Sequence, residues 1–318
     1  MLRLPDRGML RSVNVHRVDL NVLCDWIEAC VVFDDVELSK SDVIDVLVEE
    51  QIYGSSDEHS AQDFAAERVD DAWAIISRRI AYLSQPLGIS VSGNRIVRVN
   101  DWTDFPAYGF CLALSCVEMY SQLPANWGAE YVTQGRLFEE LTVESFSQTL
   151  PGWKVKKVGW AADNNPISLS DAFPTLLADL NESAGTDSQL HLTSSVKDLG
   201  LDLLAFYSFD DSQSSFPVFL VQCASGSNWP GKRQTPDIDL WRKIVNFNAR
   251  PLRAFAIPFA FADSQQFRRS SASVDGMFVE RYRLLKSFRQ NNVSVSAALD
   301  VQLVDWVNPR IAQLPRAT

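Results

Sequence analysis

Two short apolar runs in the second half of the chain constrain its fold more than any other feature. They are Leu201–Tyr207 and Pro217–Cys223, and a segment rich in Asp and Ser separates them. Apolar runs of this length, bounded by turn residues, are typical of strands that are buried on both faces. Such strands require a sheet that other elements cover on each side.

The elements predicted around these strands alternate between helix and strand. In chain order they are the helix Gly135–Leu150, the strand Trp153–Trp160, the helix Leu169–Leu180, the two apolar strands, the helix Asp237–Phe247, the strand Leu252–Phe261 and the basic helix Met277–Phe288. This order predicts an α/β (α+β) fold in which helices flank a mixed β-sheet.

The N-terminal part of the chain has a different pattern. Apolar residues at helical spacing predict helices over Asp19–Phe33, Ala61–Leu83 and Tyr108–Leu123, and a Gly-Asn turn predicts a β-hairpin within Ile89–Val99. The segment Pro124–Gly128 interrupts the last of these helices. We therefore predict a mainly helical domain over residues 1–127 and the sheet-containing domain over residues 128–318.

The net charge of −11 lies entirely in the first part of the chain. Residues 1–130 carry 10 basic and 21 acidic side chains, whereas residues 131–318 carry 19 of each. Within the second part, residues 228–290 carry 12 basic and 5 acidic side chains. Because phosphate contacts need local positive charge, this stretch is the candidate nucleic-acid surface. A basic surface that only faces solvent explains the pattern equally well.

Cysteine and histidine usage argues against several kinds of site. The five Cys residues lie far apart without a CxxC pair, and the three His residues are scattered singly. This argues against a disulfide framework, a zinc site and a Ser-His-Asp triad. No GxxxxGK[ST] motif occurs, so a P-loop NTPase is also disfavoured. Reduced thiols, no apolar segment in the first seven residues and no bilayer-length apolar run predict a cytoplasmic protein without a secretory signal or membrane segment.

Two polar residues stand at the ends of the two apolar runs. They are Asp202 and Gln222, and both residue types are rare inside strands because burying them without a partner is unfavourable. If the strands are antiparallel neighbours, the Asp202 carboxylate and the Gln222 carbonyl converge at one edge of the sheet. Glu139, on the preceding helix, can add a third oxygen. Such oxygen ligands suit Mg²⁺.

Four segments together resemble the PD-(D/E)XK, restriction-endonuclease-like superfamily. The Mrr-type branch is the most similar, since glutamine often replaces the glutamate of the third motif there. The segments are Gly135–Glu139 in the helix, Gly152–Val155 at the first strand, Gly200–Asp202 at the strand with the metal-binding aspartate, and Phe219–Ala224 at the strand with the (E/Q)xK motif. The resemblance covers about residues 130–290, roughly half of the chain.

The resemblance implies a metal-dependent endodeoxyribonuclease. It implies that Asp202, Gln222 and Glu139 hold Mg²⁺ or Mn²⁺ and act in DNA hydrolysis. The lysine of the family is expected two residues after Gln222, where this chain has Ala224. Lys232 is the nearest lysine downstream, and the lysine migrates in this superfamily, so Lys232 is the candidate catalytic cation.

Each of these site residues also has a purely structural explanation. Glu139 or Glu140 can be an acid on a helix surface, Asp202 a turn or cap residue, and Gln222 the partner of a buried backbone group. Cys223, on a predicted core strand and without an evident histidine partner, is expected to be an inert packing residue.

Candidate nucleic-acid contacts lie in the basic stretch. An amide and an aromatic ring suit contacts to a base or sugar, and cations suit phosphates, although core packing is the better explanation of Trp229. The candidate residues are Asn228, Trp229, Arg233, Lys243, Arg268 and Arg269.

Two functions from different classes are consistent with the sequence. The first is a metal-dependent DNA endonuclease, the effector of a prokaryotic anti-phage or restriction system, whose acidic domain restrains the nuclease or holds a partner such as a separately encoded NTPase or sensor. The second is a catalytically inactive nuclease-fold subunit for nucleic-acid binding or assembly, which Ala224 favours. Homo-oligomerisation is compatible with both.

Overall fold

The chain forms two compact units. The structure is a computed structural model and describes residues 1–9, 18–53, 58–83, 88–127, 131–158, 168–192, 199–290 and 294–317. The first unit comprises Met1–Glu130, Pro258–Ser264 and Phe288–Thr318, and the second comprises Tyr131–Ile257 and Gln265–Ser287. The segments Pro258–Ser264 and Phe288–Thr318 thus belong to the first unit. The division predicted from the sequence had placed both in the sheet-containing domain, residues 128–318.

The helices and strands are numbered in chain order. The helices are α1 (Leu20–Asp34), α2 (Lys40–Glu49), α3 (Glu58–Leu83), α4 (Pro106–Met119), α5 (Leu123–Asn126), α6 (Tyr131–Thr149), α7 (Leu169–Leu180), α8 (Ser188–His191), α9 (Ile238–Ile244), α10 (Ser264–Val274), α11 (Arg281–Gln290) and α12 (Ala297–Ile311). The strands are β1 (Leu38–Ser39), β2 (Ile89–Ser92), β3 (Arg95–Arg98), β4 (Lys154–Lys157), β5 (Ser183–Ala184), β6 (Leu203–Phe206), β7 (Val218–Cys223), β8 (Val245–Asn246), β9 (Leu252–Ala256) and β10 (Gly276–Val279).

The first unit is mainly helical and is built around α4. This helix is apolar on all sides, which is typical of a helix buried in a core. It packs against α1 and α12, and α3 packs against α1 and α2. Trp306 of α12 meets Phe110 of α4 edge-on, with 5.0 Å between ring centroids, and Trp127 at 5.9 Å. Across the described parts of the chain, no helix has the length and apolar character needed to cross a bilayer.

A cluster of charged side chains is buried inside the first unit. Arg79 Nη1 donates hydrogen bonds to Asp25 Oδ1 at 3.1 Å and to Glu28 Oε1 at 2.7 Å. Tyr108 donates from its hydroxyl to Glu28 Oε2 at 2.7 Å. Glu28 is 0% exposed, so its charge is balanced inside the protein by the guanidinium group.

The second unit contains a five-stranded mixed sheet in the order β10-β9-β7-β6-β4. The pairs β4–β6 and β6–β7 are antiparallel, whereas β7–β9 and β9–β10 are parallel. The mixed sheet flanked by helices, following an N-terminal helical region, confirms the predicted α/β fold class. Residues 159 and 160 of the predicted first strand lie outside the described residues.

The two faces of the sheet are covered by different helices. Leu204, Phe206, Val218 and Leu220 point to one face and pack in a core with apolar side chains of α7 and α9. Alternate residues point to the other face, where α6 contacts β4, β6 and β7. The central strands are therefore buried on both faces, as their continuous apolar runs predicted.

One predicted helix is partly a strand. The interpretation of Met277–Phe288 as a single basic helix was wrong, because Gly276–Val279 pairs in parallel with β9. The apolar residues at its start join the sheet, and the helix begins only at Arg281. Glu280 ends the strand and caps the helix, since its carboxylate accepts from the backbone N–H groups of Tyr282 and Arg283.

Candidate functional site

Strand register brings Asp202 and Gln222 together. Leu203 of β6 pairs with Val221 of β7 in an antiparallel ladder, so the preceding Asp202 lies opposite the following Gln222. Asp202 is 9% exposed and Gln222 is 6% exposed. The convergence predicted from the sequence is therefore formed by two buried polar side chains at the ends of the central strands.

The hydrogen bonds of this pair differ from the prediction. Gln222 Nε2 donates a short hydrogen bond to Asp202 Oδ2, and the backbone N–H of Cys223 donates to the same oxygen at 2.6 Å. The amide nitrogen of Gln222, and not its carbonyl oxygen, faces the carboxylate. The expectation that the two oxygens converge was wrong for this arrangement, because the carboxylate is an acceptor and attracts the donor end of the amide.

The carbonyl end of Gln222 faces a residue from a later loop. Thr235 Oγ1 lies 3.1 Å from Gln222 Oε1 and 2.6 Å from the backbone oxygen of Lys232. Gly200 makes this approach possible, since a Cβ atom there would lie 2.8 Å from Thr235 Cβ and 3.1 Å from Gln222 Oε1. Its φ of +74° is also a conformation that favours glycine.

Glu139 lies near the same strand end. The thiol of Cys223 has a pKa well above its ordinary value, because burial disfavours the thiolate and the carboxylates of Asp202 and Glu139 add to the effect. Glu139 of α6 therefore interacts electrostatically with Cys223, the residue that follows Gln222. The raised pKa agrees with the expectation that Cys223 is inert, since the thiolate is the reactive form.

The neighbouring Glu140 has a different environment. It receives a hydrogen bond from Arg136 at 2.9 Å and one from Lys157 of β4 at 3.1 Å. These ion pairs join α6 to the edge of the sheet and give Glu140 a structural role. Of the two acids considered in this helix, Glu139 is therefore the one near the candidate site.

The expected lysine position is part of the buried sheet. Ala224 is 1% exposed, and its N–H donates to the backbone oxygen of Ala256 at 2.9 Å. The following loop returns to the site. Gln134 of α6 donates to the Ser225 backbone oxygen at 3.0 Å, and the loop then forms a 3₁₀ turn over Trp229–Lys232.

The loop that carries Lys232 is tied to Gln222 through Thr235. The backbone oxygen of Lys232 accepts from the Thr235 N–H at 2.9 Å and from its hydroxyl. Thr235 therefore connects the Lys232 backbone, through its N–H group, to the Gln222 amide, through its hydroxyl. The catalytic use of the Lys232 ammonium group remains a prediction.

The donor set is suitable for a hard divalent cation, although its present orientation is not that of a binding site. Within the described ranges, no group of three or more His, Cys, Asp and Glu residues is arranged to hold a metal ion. The Asp202 carboxylate and the Gln222 amide nevertheless meet at this strand end, and Glu139 acts electrostatically on the adjacent Cys223. Each of the three candidate side chains offers oxygen to Mg²⁺ or Mn²⁺. Gln222 must turn its amide before its oxygen faces Asp202.

The aromatic residue of the loop belongs to a stacked cluster. Trp229 is half-buried and stacks on Phe278 of β10, with 6.1 Å between ring centroids. The Arg233 guanidinium lies 5.8 Å from the Trp229 ring centroid. Asn228 is exposed at the start of the turn. Packing against Phe278 thus accounts for the buried part of the Trp229 side chain. Stacking of Trp229 on a base stays a prediction.

The other candidate cations lie on two helices. Lys243 is exposed on α9, and Arg268 and Arg269 are exposed on α10. Within the contacts of the described residues, none of the three is joined to Asp202 or Gln222 by a hydrogen bond or ion pair. Their exposure allows phosphate contacts, which stay a prediction.

Sequence reasoning did not identify Thr235, and it named Gly200 within the segment Gly200–Asp202 without assigning it a role. Thr235 and Gly200 pack against Gln222 from loops that are distant in sequence. Gly200 directly precedes the predicted strand Leu201–Tyr207 and so offered a signal. A glycine beside or within a strand often marks a close approach of another group. Thr235, in a loop with a proline, offered a turn signal only.

Comparisons with known proteins leave the family of the chain open. No protein-family model matches the sequence, and no curated protein matches it. Among solved structures, one match is the restriction endonuclease FokI bound to DNA, at 8% sequence identity and a TM-score of 0.26. The match covers 89% of this chain and 47% of that chain, so the chain spans about half the length of that protein. A TM-score this low does not establish a shared fold.

Proposed function

We propose that the second unit is a metal-dependent endonuclease that hydrolyses phosphodiester bonds of DNA. The observation that carries this proposal is the buried Asp202–Gln222 pair at the ends of β6 and β7, to which the Lys232 loop is bonded through Thr235. A buried carboxylate, a second carboxylate and an amide beside a lysine-bearing loop form a set of groups suited to this reaction.

The residues would divide the chemistry between them. Asp202, Glu139 and the carbonyl oxygen of Gln222 would hold the cation. Mg²⁺ or Mn²⁺, when bound, supplies charge neutralisation at the phosphate and lowers the pKa of water. The ammonium group of Lys232 would stabilise the negative charge that develops on the phosphoryl oxygens, a contribution of about 100- to 1,000-fold in rate for one preorganised donor.

Positive charge on the second unit would hold the DNA. Arg233, Lys243, Arg268 and Arg269 supply cations from the loop and from two helices, and Asn228 and Trp229 supply polar and aromatic contacts. The acidic region 1–130 would repel phosphate and is proposed to restrain the nuclease or to hold a partner. A separately encoded NTPase or sensor within a prokaryotic defence system is the kind of partner that the family resemblance implies.

A second function is favoured by two observations. The position of the usual lysine is the buried Ala224, and Gln222 presents its amide nitrogen to Asp202. Both features fit a nuclease-like fold that binds nucleic acid or assembles a complex without cleaving. Such a subunit would bind DNA but leave it intact.

A plasmid assay separates the two functions. The full chain is incubated with supercoiled plasmid in Mg²⁺, in Mn²⁺ or in a chelator, and its DNA affinity is measured in Ca²⁺. The endonuclease predicts nicked and linear DNA in Mg²⁺ or Mn²⁺ and intact plasmid in the chelator. Intact plasmid in every buffer, together with tight DNA binding, would support the inactive subunit instead. Intact plasmid without DNA binding would overturn both.

A further inference from the structure

The Thr235 hydroxyl lies between two oxygens that can only accept hydrogen bonds. Its Oγ1 is 2.6 Å from the backbone oxygen of Lys232 and 3.1 Å from Gln222 Oε1. A hydroxyl carries one proton and two acceptor lone pairs. Thr235 therefore donates to one of these two oxygens at a time.

The Lys232 oxygen does not depend on this hydroxyl. It also accepts from the backbone N–H of Thr235 at 2.9 Å. The hydroxyl can thus turn to Gln222 while the Lys232 oxygen keeps a donor. Either orientation of the proton leaves the loop backbone bonded.

The Gln222 amide can also occupy two orientations without losing its partner at Thr235. In the observed one, Nε2 donates to Asp202 Oδ2 and to the backbone oxygen of Cys223 at 3.2 Å, and Oε1 faces the hydroxyl. After a half-turn of the amide, Nε2 donates to Thr235 Oγ1, and the hydroxyl donates to Lys232. Gln222 Oε1 then faces the Asp202 carboxylate and the Cys223 backbone oxygen. Oxygens held side by side repel one another, and a divalent cation between them removes that repulsion.

We propose that Thr235 is a positioning residue that allows the Gln222 amide to turn its oxygen towards Asp202 when a divalent cation binds. This inference rests on the proposed metal-dependent function. Thr235 takes no part in the chemistry of DNA cleavage. It acts as acceptor for the amide nitrogen and, through the Lys232 backbone, links the cation site to the loop that carries the lysine.

The packing around Thr235 restricts the position of its side chain. A Cβ atom on Gly200 would lie 2.8 Å from Thr235 Cβ, so the threonine is held closely against the Gly200 backbone. A β-branched side chain has few χ1 rotamers, which keeps its hydroxyl near Gln222. Serine retains the hydroxyl at this position, whereas valine keeps the shape and removes it.

The test compares Mn²⁺ affinity among variants of the full chain without DNA. Thr235→Val, Thr235→Ser and the control Thr149→Val are titrated with Mn²⁺ and followed by electron paramagnetic resonance. Thr149 is a matched control, since its hydroxyl also donates to a backbone oxygen, that of Ser145 at 2.9 Å. We expect about tenfold weaker Mn²⁺ binding in Thr235→Val, because the turned amide loses its acceptor. Thr235→Ser and Thr149→Val should stay near the wild-type affinity.

A second measurement shows whether the effect is specific. DNA affinity in a chelator should be equal for wild type and Thr235→Val, because the proposed role involves only the cation-bound state. If Thr235→Val does not fold, Thr235→Ala replaces it in the experiment, since alanine also lacks the hydroxyl and has a smaller side chain.

The outcomes separate this inference from the function on which it rests. Wild-type protein that binds Mn²⁺, with equal affinity in Thr235→Val, would overturn the role of Thr235 and leave the proposed function standing. Equal weakening in Thr235→Val and Thr149→Val would also overturn it. Wild-type protein that holds no Mn²⁺ would overturn the proposed function, and the inference with it.

Discussion

The two units each bury a polar cluster, and the clusters are built in opposite ways. In the first unit, Asp25 and Glu28 face the guanidinium of Arg79, so opposite charges meet. In the second unit, the Asp202 carboxylate accepts from two neutral N–H groups, those of Gln222 and Cys223. The first cluster joins two helices of one core, whereas the second lies at strand ends beside a returning loop.

This difference separates a structural cluster from a candidate functional one. Removing Arg79 would leave two buried carboxylates without their cation, which is strongly unfavourable. Replacing one oxygen of Asp202 by nitrogen would change little in the packing but would remove the negative charge. We therefore expect stability to depend on the first cluster and activity on the second.

The largest expected effect is that of Asp202→Asn on cleavage. The amide keeps the shape of the side chain but not its charge, so we expect at least about a 1,000-fold loss of plasmid nicking. Asparagine is preferable to alanine, since alanine would leave the Gln222 and Cys223 donors without their acceptor. Nicking rates in Mg²⁺ measure the loss of cleavage, and thermal denaturation shows whether the variant is folded. Wild-type cleavage by the folded variant would exclude this residue from the site.

The next effect concerns the first unit. Arg79→Met should lower the free energy of unfolding by about 3–5 kcal/mol, because the buried charges of Asp25 and Glu28 lose their partner. Urea denaturation measures this change. Arg78 is the matched control, since it precedes Arg79 in the same helix and is exposed. Equal stabilities of Arg79→Met and Arg78→Met would contradict the structural role of the cluster.

Lys232→Ala should reduce the cleavage rate by about 100-fold, the lower end of the range for one preorganised donor. Mn²⁺ affinity should be retained, because the residue is not a proposed ligand. Lys154→Ala is the control, since Lys154 is largely exposed and pairs with Asp210. Adding Ala224→Lys to Lys232→Ala should restore part of the rate. An unchanged rate in Lys232→Ala would favour the inactive-subunit function.

The smallest effect is expected at the exposed arginines of α10. Arg268→Glu and Arg269→Glu should each weaken DNA binding by about threefold and lower the salt dependence by about one counterion. Fluorescence anisotropy over a series of salt concentrations measures both quantities. Arg95→Glu, in the acidic first unit, should leave DNA affinity unchanged. A loss of affinity at Arg95 as large as that at Arg268 would mean that both units bind DNA.

The central strands and their polar ends could be predicted from the sequence. The apolar runs around Leu203 and Val221 predicted buried strands, and the structure shows them as the antiparallel neighbours that the predicted convergence required. Given that pairing, Asp202 must lie opposite Gln222. Strand period and turn composition are local signals, and this part of the site depends on local signals alone.

The remaining features depend on contacts between distant parts of the chain. The Gln222 amide meets Thr235, which lies thirteen residues further along in a loop. The strand at Met277 depends on a neighbouring strand that is already paired, and a helical propensity for the same residues was overridden by that pairing. Neither of these tertiary contacts produces a periodic pattern of residues in the sequence.

The position of α12 has a consequence for the order in which the units can form during synthesis. The chain emerges from the ribosome with its N-terminal end first, and Trp306 follows the whole of the second unit. Until it appears, Phe110 and Trp127 lack the ring that they contact in the finished core. The five strands of the mixed sheet in the second unit, in contrast, have all been made by residue 279. The unit that is encoded first is therefore the one that is completed last.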